Sequence, residues 1–174
     1  MIVSGPPGSG KTTLAVPLAR GLGLPLIAKD TVKEALMDSL GAGDIERSRE
    51  LGRASYAVLF ALAGSLLDAG TGLVLESNFS RGRSEAELAP LAARSRAAII
   101  HCWAPSDVLR DRYRARAPWR HPGHHDLERL AGELTWLSGE AAEPPDLPVP
   151  CLQVDTTGPT DLDVIRRWAL SVSR

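Results

Sequence analysis

Short apolar runs alternate with longer amphipathic stretches along the whole chain. The apolar runs are four to seven residues long and lack the period-two alternation of a sheet with one solvated face, which predicts buried strands. Strands are predicted at Met1–Ser4, Pro25–Ala28, Leu73–Glu76, Ala97–Trp103 and Cys151–Val154. Helices are predicted at Lys11–Leu22, Thr31–Leu40, Asp44–Ala69, Ser84–Ser95, Pro105–Arg116, Asp126–Ser138 and Thr160–Val172. Strands that alternate with helices predict an α/β fold, in which helices cover both faces of a parallel sheet.

The composition indicates a globular protein. The chain has 174 residues, of which 44% are hydrophobic and 24% charged, and this length fits one domain, residues 1–174, with a small lid. The formal net charge is −1, so nucleic acid is a partner that a local basic surface would allow but that bulk electrostatics do not favour. No apolar run approaches the roughly 18 residues of a membrane span, and the first residues do not resemble a signal peptide. We therefore expect a cytoplasmic protein without a membrane partner, either a monomer or a homodimer.

A glycine-rich loop separates the first predicted strand from the first predicted helix. Its sequence, Gly5-Pro6-Pro7-Gly8-Ser9-Gly10-Lys11-Thr12, matches the full pattern G-x-x-x-x-G-K-[ST], and Thr13 follows it in the helix. Glycines let backbone N–H groups turn inward and form an anion-binding nest at the helix N-terminus, where the helix dipole adds a favourable potential. Lys11 supplies a positive charge for the β- and γ-phosphates, and the Thr12 hydroxyl is placed to bind Mg²⁺. The loop therefore predicts that the protein binds ATP, or a related nucleoside triphosphate, together with Mg²⁺.

A carboxylate follows the second predicted strand. Asp30 lies at the carboxyl end of that strand, which is the edge where open parallel sheets bind ligands. It is our candidate for the base that accepts the proton of a substrate hydroxyl during attack on the γ-phosphate. The sequence Thr31-x-x-Glu34 has the form of a capping box, which would leave Asp30 one residue outside the helix. The alternatives are that Asp30 caps the helix or pairs with Lys29 or Lys33.

The third predicted strand ends in a polar segment, Glu76-Ser77-Asn78. Glu76 is a candidate for holding a Mg²⁺-bound water or for serving as a second base. Asn78 and Arg81 are candidates for contact with the substrate. The alternative is an ordinary turn at the end of a strand.

Arginines are concentrated around the helix Pro105–Arg116. Arg112 and Arg116 are four residues apart and share one face of the helix, whereas Arg110 and Arg114 share another. Arg120 follows in an irregular segment. Guanidinium groups suit phosphate oxygens, so we expect residues of about 117–126 to form a lid that closes over ATP and brings arginines to it. The alternative is a solvated basic helix face.

Three histidines lie in the irregular segment: His121, His124 and His125. Adjacent histidines in a proline-containing loop rarely converge on one ion, so a metal site is not favoured here. We expect one of the histidines to contact phosphate or substrate, and Asp126 to cap the next helix. Trp119 is the tryptophan that we expect to meet a ligand.

The glycine loop, Asp30, the Arg112/Arg116 pair and the closing segment Val154-Asp155-Thr156-Thr157 resemble the small P-loop kinases. This group includes gluconate and shikimate kinases, chloramphenicol phosphotransferase and the kinase domain of polynucleotide kinase. The resemblance covers nearly the whole chain. It implies a P-loop NTPase fold, a three-layer α/β/α sandwich whose five parallel strands have the order 2-3-1-4-5.

The same resemblance implies roles for individual residues. Asp30 would be the base after the second strand, and Arg116 would be a lid arginine that reaches phosphate. Arg112 and the loop Asp155–Pro159 would lie beside the adenine. The long helix Asp44–Ala69 would help to form the wall of the acceptor pocket. Many relatives carry an aspartate where this chain has Glu76-Ser77-Asn78.

Three functions are compatible with these residues. The first, which we favour, is a kinase that transfers the γ-phosphate to a hydroxyl of a small molecule such as an antibiotic, a sugar or a nucleoside. The second is a nucleotide-dependent regulatory ATPase, which would fit a capped Asp30 and an exposed apolar face on Asp44–Ala69. The third is a polynucleotide 5′-hydroxyl kinase, which predicts a groove lined by Arg47, Arg49, Arg53 and Arg81.

Overall fold

The structure, a computed structural model, describes residues 1–132, 134 and 139–172. Its strands are β1 (Ile2–Ser4), β2 (Leu26–Ala28), β3 (Val74–Glu76), β4 (Ile99–Trp103) and β5 (Cys151–Asp155). Its α-helices are α1 (Lys11–Leu22), α2 (Lys29–Leu40), α3 (Ile45–Asp68), α4 (Glu85–Ala93), α5 (Ser106–Arg116), α6 (Asp126–Leu130) and α7 (Leu162–Val172). Short 3₁₀ turns lie at Ala117–Trp119, Pro122–His124 and Gly139–Ala142.

The five strands form one parallel sheet in the order β2-β3-β1-β4-β5, which confirms the predicted order. β1 is central, and its Val3 lies opposite Glu76 of β3 and Ile100 of β4. The helical connections that follow β1 and β3 leave in opposite directions along the sheet. In open α/β sheets, ligands bind at such a reversal, outside the carboxyl ends of the strands.

Both faces of the sheet are buried, as the continuous apolar runs predict. On one face, α1 and α7 pack over Val3, Val74 and Ile100. On the other face, α3 and α4 pack over Ile2 and Leu75. Successive strand residues point to opposite faces, so the residues of the inner strands β1 and β3 are all buried. The edge strand β5 differs, because Cys151, Gln153 and Asp155 are exposed. This packing gives the predicted three-layer α/β/α sandwich.

Two differences between the predicted and observed helix boundaries affect the candidate site. Helix α2 begins at Lys29, directly after β2, with Ala28 in extended conformation as its N-cap. Thr31 is therefore inside the helix, the capping box with Glu34 does not form, and Asp30 belongs to the first turn. Helix α6 ends at Leu130 instead of continuing to Ser138; residues 133 and 135–138 of that prediction lie outside the described residues. Within the described part of the chain, no helix combines the length and apolarity needed to cross a membrane.

Candidate active site

The glycine loop leaves the carboxyl end of β1 and folds tightly against neighbouring backbone. Gly8 has φ of 87°, and a Cβ at this position would lie 2.7 Å from the Leu109 carbonyl oxygen. Gly5 has φ of 142°, and a Cβ there would collide with the carbonyl oxygen of Cys102. Both positions require glycine, because a side chain would meet rigid backbone in a conformation that L-residues rarely adopt.

The N-terminus of α1 is open to an anion. Its N-cap is Gly10, which has no side chain to accept from the first-turn N–H groups, and the first turn contains no acidic residue. The first N–H groups of a helix have no partner within the helix, and the helix dipole makes this end attractive to negative charge. The loop and the helix together have the form of a phosphate cradle.

Lys11 is a buried cation beside this cradle. It is 6% exposed, and its Nζ donates a hydrogen bond to the Pro6 carbonyl oxygen at 3.3 Å. Burial lowers the pKa of Lys11, and the negative charges of Glu76 and Asp30 oppose this effect. A phosphate in the cradle would compensate the buried charge, as the sequence predicts.

The Thr12 side chain lies beside Glu76 and lowers the pKa of its carboxyl group. Glu76 is 3% exposed, and burial raises the pKa of its carboxyl group, although the charge of Lys11 opposes that effect. A hydroxyl and a carboxylate are oxygen donors of the kind that Mg²⁺ prefers. The residues present therefore fit a Mg²⁺ ion beside the phosphate cradle, with Thr12 and Glu76 on its protein side.

Asp30 lies at the wall of a cavity of about 830 Å³ that Lys11 also lines. Its carboxylate accepts from Lys29 at 3.0 Å and from Arg120 at 2.7 Å. Burial opposes ionisation of Asp30, but the charges of Lys29, Arg120 and Lys11 outweigh it and hold the pKa below its ordinary value. The proposed base thus faces the cavity and also forms the alternative salt bridge with Lys29, whereas Lys33 bonds elsewhere.

Arg120 connects the predicted lid to α2. Besides Asp30, its guanidinium pairs with Asp126 at 3.3 Å and with Glu34 at 3.7 Å. Asp126 also accepts from the Tyr113 hydroxyl at 2.6 Å. Asp126 is the first residue of α6 and its side chain points to these partners, so the expectation that it caps the helix is wrong. His125, in left-handed conformation, is the N-cap.

The histidines of the segment have separate environments. His121 Nδ1 accepts from the Gly123 N–H, and His125 lies 3.1 Å from Glu128. His124 lines the cavity and contacts Glu34 and Arg120. Among the described residues, no group of three or more metal-ligating side chains is brought together. Trp119 is 88% exposed and is not among the residues that line the cavity, so its contact with a ligand stays a prediction.

Arg112 fixes the loop after β5 to the glycine loop. Its terminal nitrogens donate to the Thr156 carbonyl oxygen at 2.6 Å and to the Gly8 carbonyl oxygen at 3.5 Å. Thr156 in turn donates through its hydroxyl to the Trp103 carbonyl oxygen, and Asp155 accepts from the Thr157 N–H and hydroxyl. The segment 155–157 is thus held beside the glycine loop, and its contact with the adenine stays a prediction.

Arg116 shares the inner face of α5 with Arg112 and lines the cavity. Its guanidinium lies 5.0 Å from the centre of the Tyr113 ring, and its buried Nε has no hydrogen-bond partner among the described residues. Burial and the charge of Arg120 lower the pKa of Arg116. A buried guanidinium nitrogen without a partner is expected where a ligand supplies the acceptor.

The cavity collects some of the predicted site residues and leaves others out. The predicted residues that line it are Pro7, Lys11, Asp30, Asn78, Arg116 and Arg120. Arg81 is exposed, with its backbone N–H bonded to the Glu143 carbonyl oxygen. Arg83 lines the cavity in its place. Sequence reasoning named Arg53 only for the polynucleotide alternative, and it missed the lining residues Lys29, Lys33, Tyr56, Phe60, Glu87 and Arg129.

The parallel sheet and phosphate cradle define the protein as a member of the P-loop class of α/β proteins. The family is given by a family model described as an AAA domain, which matches residues 1–137. The protein therefore belongs to this AAA domain family.

Solved structures share the fold. A protein of Chloroflexus aurantiacus proposed to be a kinase has 36% sequence identity and a TM-score of 0.84, over 99% of this chain and 97% of that one. A gluconokinase from Sinorhizobium meliloti has 22% identity and a TM-score of 0.56, over 98% and 89% of the two chains. The APS kinase of Mycobacterium tuberculosis, in complex with AMPPNP and APS, has 21% identity and a TM-score of 0.55, over 98% and 95%.

Curated relatives include longer proteins. An uncharacterized protein of Mycobacterium tuberculosis is 28% identical over 176 residues, which cover 94% of this chain and 32% of that protein. A protein of Mycobacterium bovis matches to the same extent. The chain spans about a third of the length of these relatives.

Proposed function

We propose that the protein is a kinase that uses ATP and Mg²⁺ to phosphorylate a hydroxyl group of a small molecule bound in the cavity. The observation that carries this proposal is that Lys11 and Asp30 line the same cavity. A cation for the γ-phosphate and a carboxylate for the attacking hydroxyl are thereby brought to one space. The kinases among the similar solved structures support the same reaction class.

The reaction needs positioning and charge compensation more than covalent chemistry. The acceptor hydroxyl donates a hydrogen bond to Asp30, and its oxygen forms a bond to the γ-phosphorus while the bond to the bridging oxygen of ADP breaks. Asp30 takes the hydroxyl proton. Lys11 and Arg116 offset the charge on the phosphoryl oxygens. Mg²⁺, beside Thr12 and Glu76, would supply further charge neutralisation when bound.

The regulatory ATPase is less well supported. It fits an Asp30 that is occupied as a helix cap, but the side chain of Asp30 lines the cavity. It also fits a continuous apolar surface on α3, where Val58 and Leu62 are the exposed large apolar residues, at 39% and 46%. Two such residues on one helix are common on ordinary protein surfaces.

The polynucleotide kinase is also less well supported. Of the four arginines that it requires, only Arg53 lines the cavity. Arg47 pairs with Glu50, and Arg49 and Arg53 both face Glu46. Arginines that are paired with carboxylates on their own helix do not form a free basic track for a nucleic-acid backbone.

The proposal is tested by incubation with ATP labelled in the γ-phosphate and a panel of hydroxyl compounds that includes aminoglycosides, phenicols, sugars, sugar acids, nucleosides and oligonucleotides. We expect label to move to a small molecule in the wild type. Lys11→Ala should abolish nucleotide binding or turnover, because it removes the cation of the phosphate cradle. Arg110→Ala, on the outer face of α5, is the matched control. Unchanged ATP affinity and rate in Lys11→Ala would refute the assignment of the loop.

A further inference from the structure

The cavity concentrates positive charge in a chain whose formal net charge is −1. Among its described lining residues, eight are lysine or arginine and three are aspartate or glutamate. Lys11 and Arg116 are assigned above to the nucleotide phosphates. Asp30 partly compensates Lys29 and Arg120 by direct ion pairs. The remaining cations of the cavity, which do not pair with Asp30, include Lys33 of α2 and Arg129 of α6.

Lys33 is a buried cation without an anionic partner among the described residues. It is 5% exposed, and its Nζ donates to the Ser48 hydroxyl at 2.8 Å. An ammonium group has three donors, and the described residues give no hydrogen-bond acceptor for the other two. Burying a lysine that has no carboxylate as an ion-pair partner costs free energy. Such lysines in native structures are found mainly at functional sites.

Arg129 adds a second cation at the same wall. Its Nε donates to the His124 carbonyl oxygen at 3.0 Å, which fixes the side chain. Its terminal nitrogens form no ion pair with a described carboxylate. Burial and the charges of Lys29 and Arg129 together lower the pKa of Lys33 to about 8, although the charge of Asp30 opposes them. Two neighbouring cations with unused donors repel each other until an anion lies between them.

An aromatic surface adjoins these cations. Tyr56 and Phe60 of α3 line the cavity, and their rings stack with centroids 6.0 Å apart and planes at 20°. Lys29 lies 5.8 Å from the centre of the Tyr56 ring. Half-buried aromatic rings offer a flat surface to an apolar or ring-shaped part of a ligand.

We propose that Lys33 and Arg129 form a subsite for an anionic group of the acceptor, whose uncharged part packs on Tyr56 and Phe60. The acceptor is then an anionic hydroxyl compound that carries a carboxylate or a phosphate. This inference rests on the proposed kinase function and narrows its substrate class, because neutral nucleosides and cationic antibiotics would leave both cations without a partner.

The subsite is tested by anion binding to the full chain with saturating AMPPNP and Mg²⁺, so that the phosphate cradle is already filled. Inorganic phosphate and acetate are titrated separately at constant ionic strength, with chloride as the reference, and the melting temperature is recorded. We expect at least one of the two anions to stabilise the protein beyond chloride, because a ligand that binds the folded state raises its stability. The anion that raises the melting temperature more identifies phosphate or carboxylate as the group that the subsite prefers.

Variants locate the bound anion. Lys33→Met and Arg129→Met should each raise the dissociation constant of the stabilising anion about tenfold or more. This is the usual effect of losing a charge-assisted hydrogen bond. Lys33→Arg should retain most of the affinity, and Arg110→Met should match the wild type. Because Lys33 is buried and its replacement can prevent folding, Arg129→Met, at a half-exposed position, gives an independent test. No stabilisation beyond chloride, or wild-type affinity in either Met variant that folds, would overturn the subsite.

The same acceptor panel separates this inference from the kinase proposal. Matched pairs such as a hydroxy acid and its amide should differ in kcat/KM by about tenfold or more in favour of the acid. If the two are phosphorylated equally well, the kinase proposal stands and the anionic subsite falls. If anions bind in a manner that depends on Lys33 while no acceptor is labelled, the subsite stands and the kinase proposal falls.

Discussion

Asp30 shows how neighbouring charges define the role of a single side chain. The carboxylate lies between Lys29 at 3.0 Å and Arg120 at 2.7 Å. Burial favours its neutral form, but the surrounding cations outweigh this and hold its pKa below the ordinary value. Asp30 is therefore ionised throughout the physiological pH range. It is a weak base in the ground state, which suits a reaction in which the proton leaves late and orientation of the hydroxyl matters more.

We predict that Asp30→Ala and Asp30→Asn keep the ATP affinity of the wild type but reduce transfer by about two to four powers of ten, as expected for lost general-base assistance. Nucleotide binding and single-turnover transfer to an acceptor from the labelled-ATP panel measure the two effects separately. Near-wild-type transfer in both variants would show that a residue other than Asp30 is the base, and Glu76 would be the next candidate.

Lys33 gives a pH dependence with a definite sign. The groups that surround it are Lys29 and Asp30 on α2, Ser48 on α3, and Arg120 and Arg129 around α6. Since burial lowers its pKa to about 8, Lys33 is a cation below this pH and becomes neutral above it.

The affinity for the acceptor or for the anion should therefore fall as the pH rises through about 8. A bound anion favours the charged lysine, so it should shift the midpoint of the Lys33 titration to higher pH. Stability of the free protein should change in the opposite direction. The unfolded lysine keeps its proton to higher pH, so stability rises between about pH 8 and pH 10. Titration of the dissociation constant with pH measures the first effect, and Lys33→Arg, which does not titrate in this range, is the control. A flat profile in the wild type would contradict the assignment.

The site could be predicted from the sequence where its residues are close together along the chain. The glycine loop is a local motif, and Asp30 directly follows a strand, so both were found. Lys33 and Arg129 were missed because they are 96 positions apart and meet only after α2, α3 and α6 pack. The sequence predicts Arg81 as a site residue and does not reveal Arg83, because the pattern does not specify the turn at 81–84, which directs Arg83 into the cavity.

At the scale of elements, strand order and helix placement followed from the pattern of apolar runs together with the resemblance to P-loop kinases. The exact helix boundaries could be predicted less accurately from the sequence. The capping box at Thr31 did not form because β2 runs into α2 without a loop, so tertiary packing against β3 overrides the local capping preference. This displacement by two residues moves Asp30 into the first turn of α2, beside Arg120 of the segment that precedes α6.

Arg120 holds that segment to α2 through Asp30, Glu34 and Asp126. We predict that Arg120→Met loosens residues 117–130, because three carboxylates lose their common cation while two of them lie on α2 and one on α6. Hydrogen exchange of backbone amides in this segment should accelerate by about tenfold, while amides of β1 and β4 remain as protected as in the wild type.

Arg110→Met, which removes an arginine from the outer face of α5, is the control for this prediction and should leave the exchange unchanged. Addition of AMPPNP should slow exchange in the wild type more than in Arg120→Met if the segment closes over the nucleotide. Equal exchange rates in the wild type and Arg120→Met would show that the segment is held by packing alone.

At the scale of the whole molecule, the charge is distributed unevenly. The chain as a whole is nearly neutral, yet the cavity is lined mainly by cations among its described residues. A cleft lined by one sign of charge raises the local concentration of oppositely charged ligands and their association rates by about 10- to 1000-fold. The fold thereby places an attractive potential where the nucleotide and the proposed acceptor enter.

We predict that association of a fluorescent ATP analogue slows by about tenfold between about 20 mM and about 500 mM salt, because mobile ions screen this potential at distances beyond the Debye length. Stopped-flow measurement of the association rate tests this directly. Arg83→Met removes a cavity cation that is not assigned to catalysis, and it should reduce the salt dependence without changing the dissociation rate. Arg110→Met removes the same charge from the outer face of α5 and should change neither rate. The cavity charge acts only on the bound ligand, and does not steer its approach, if the association rate is independent of salt. The same conclusion holds if Arg83→Met and Arg110→Met show the same salt dependence of association.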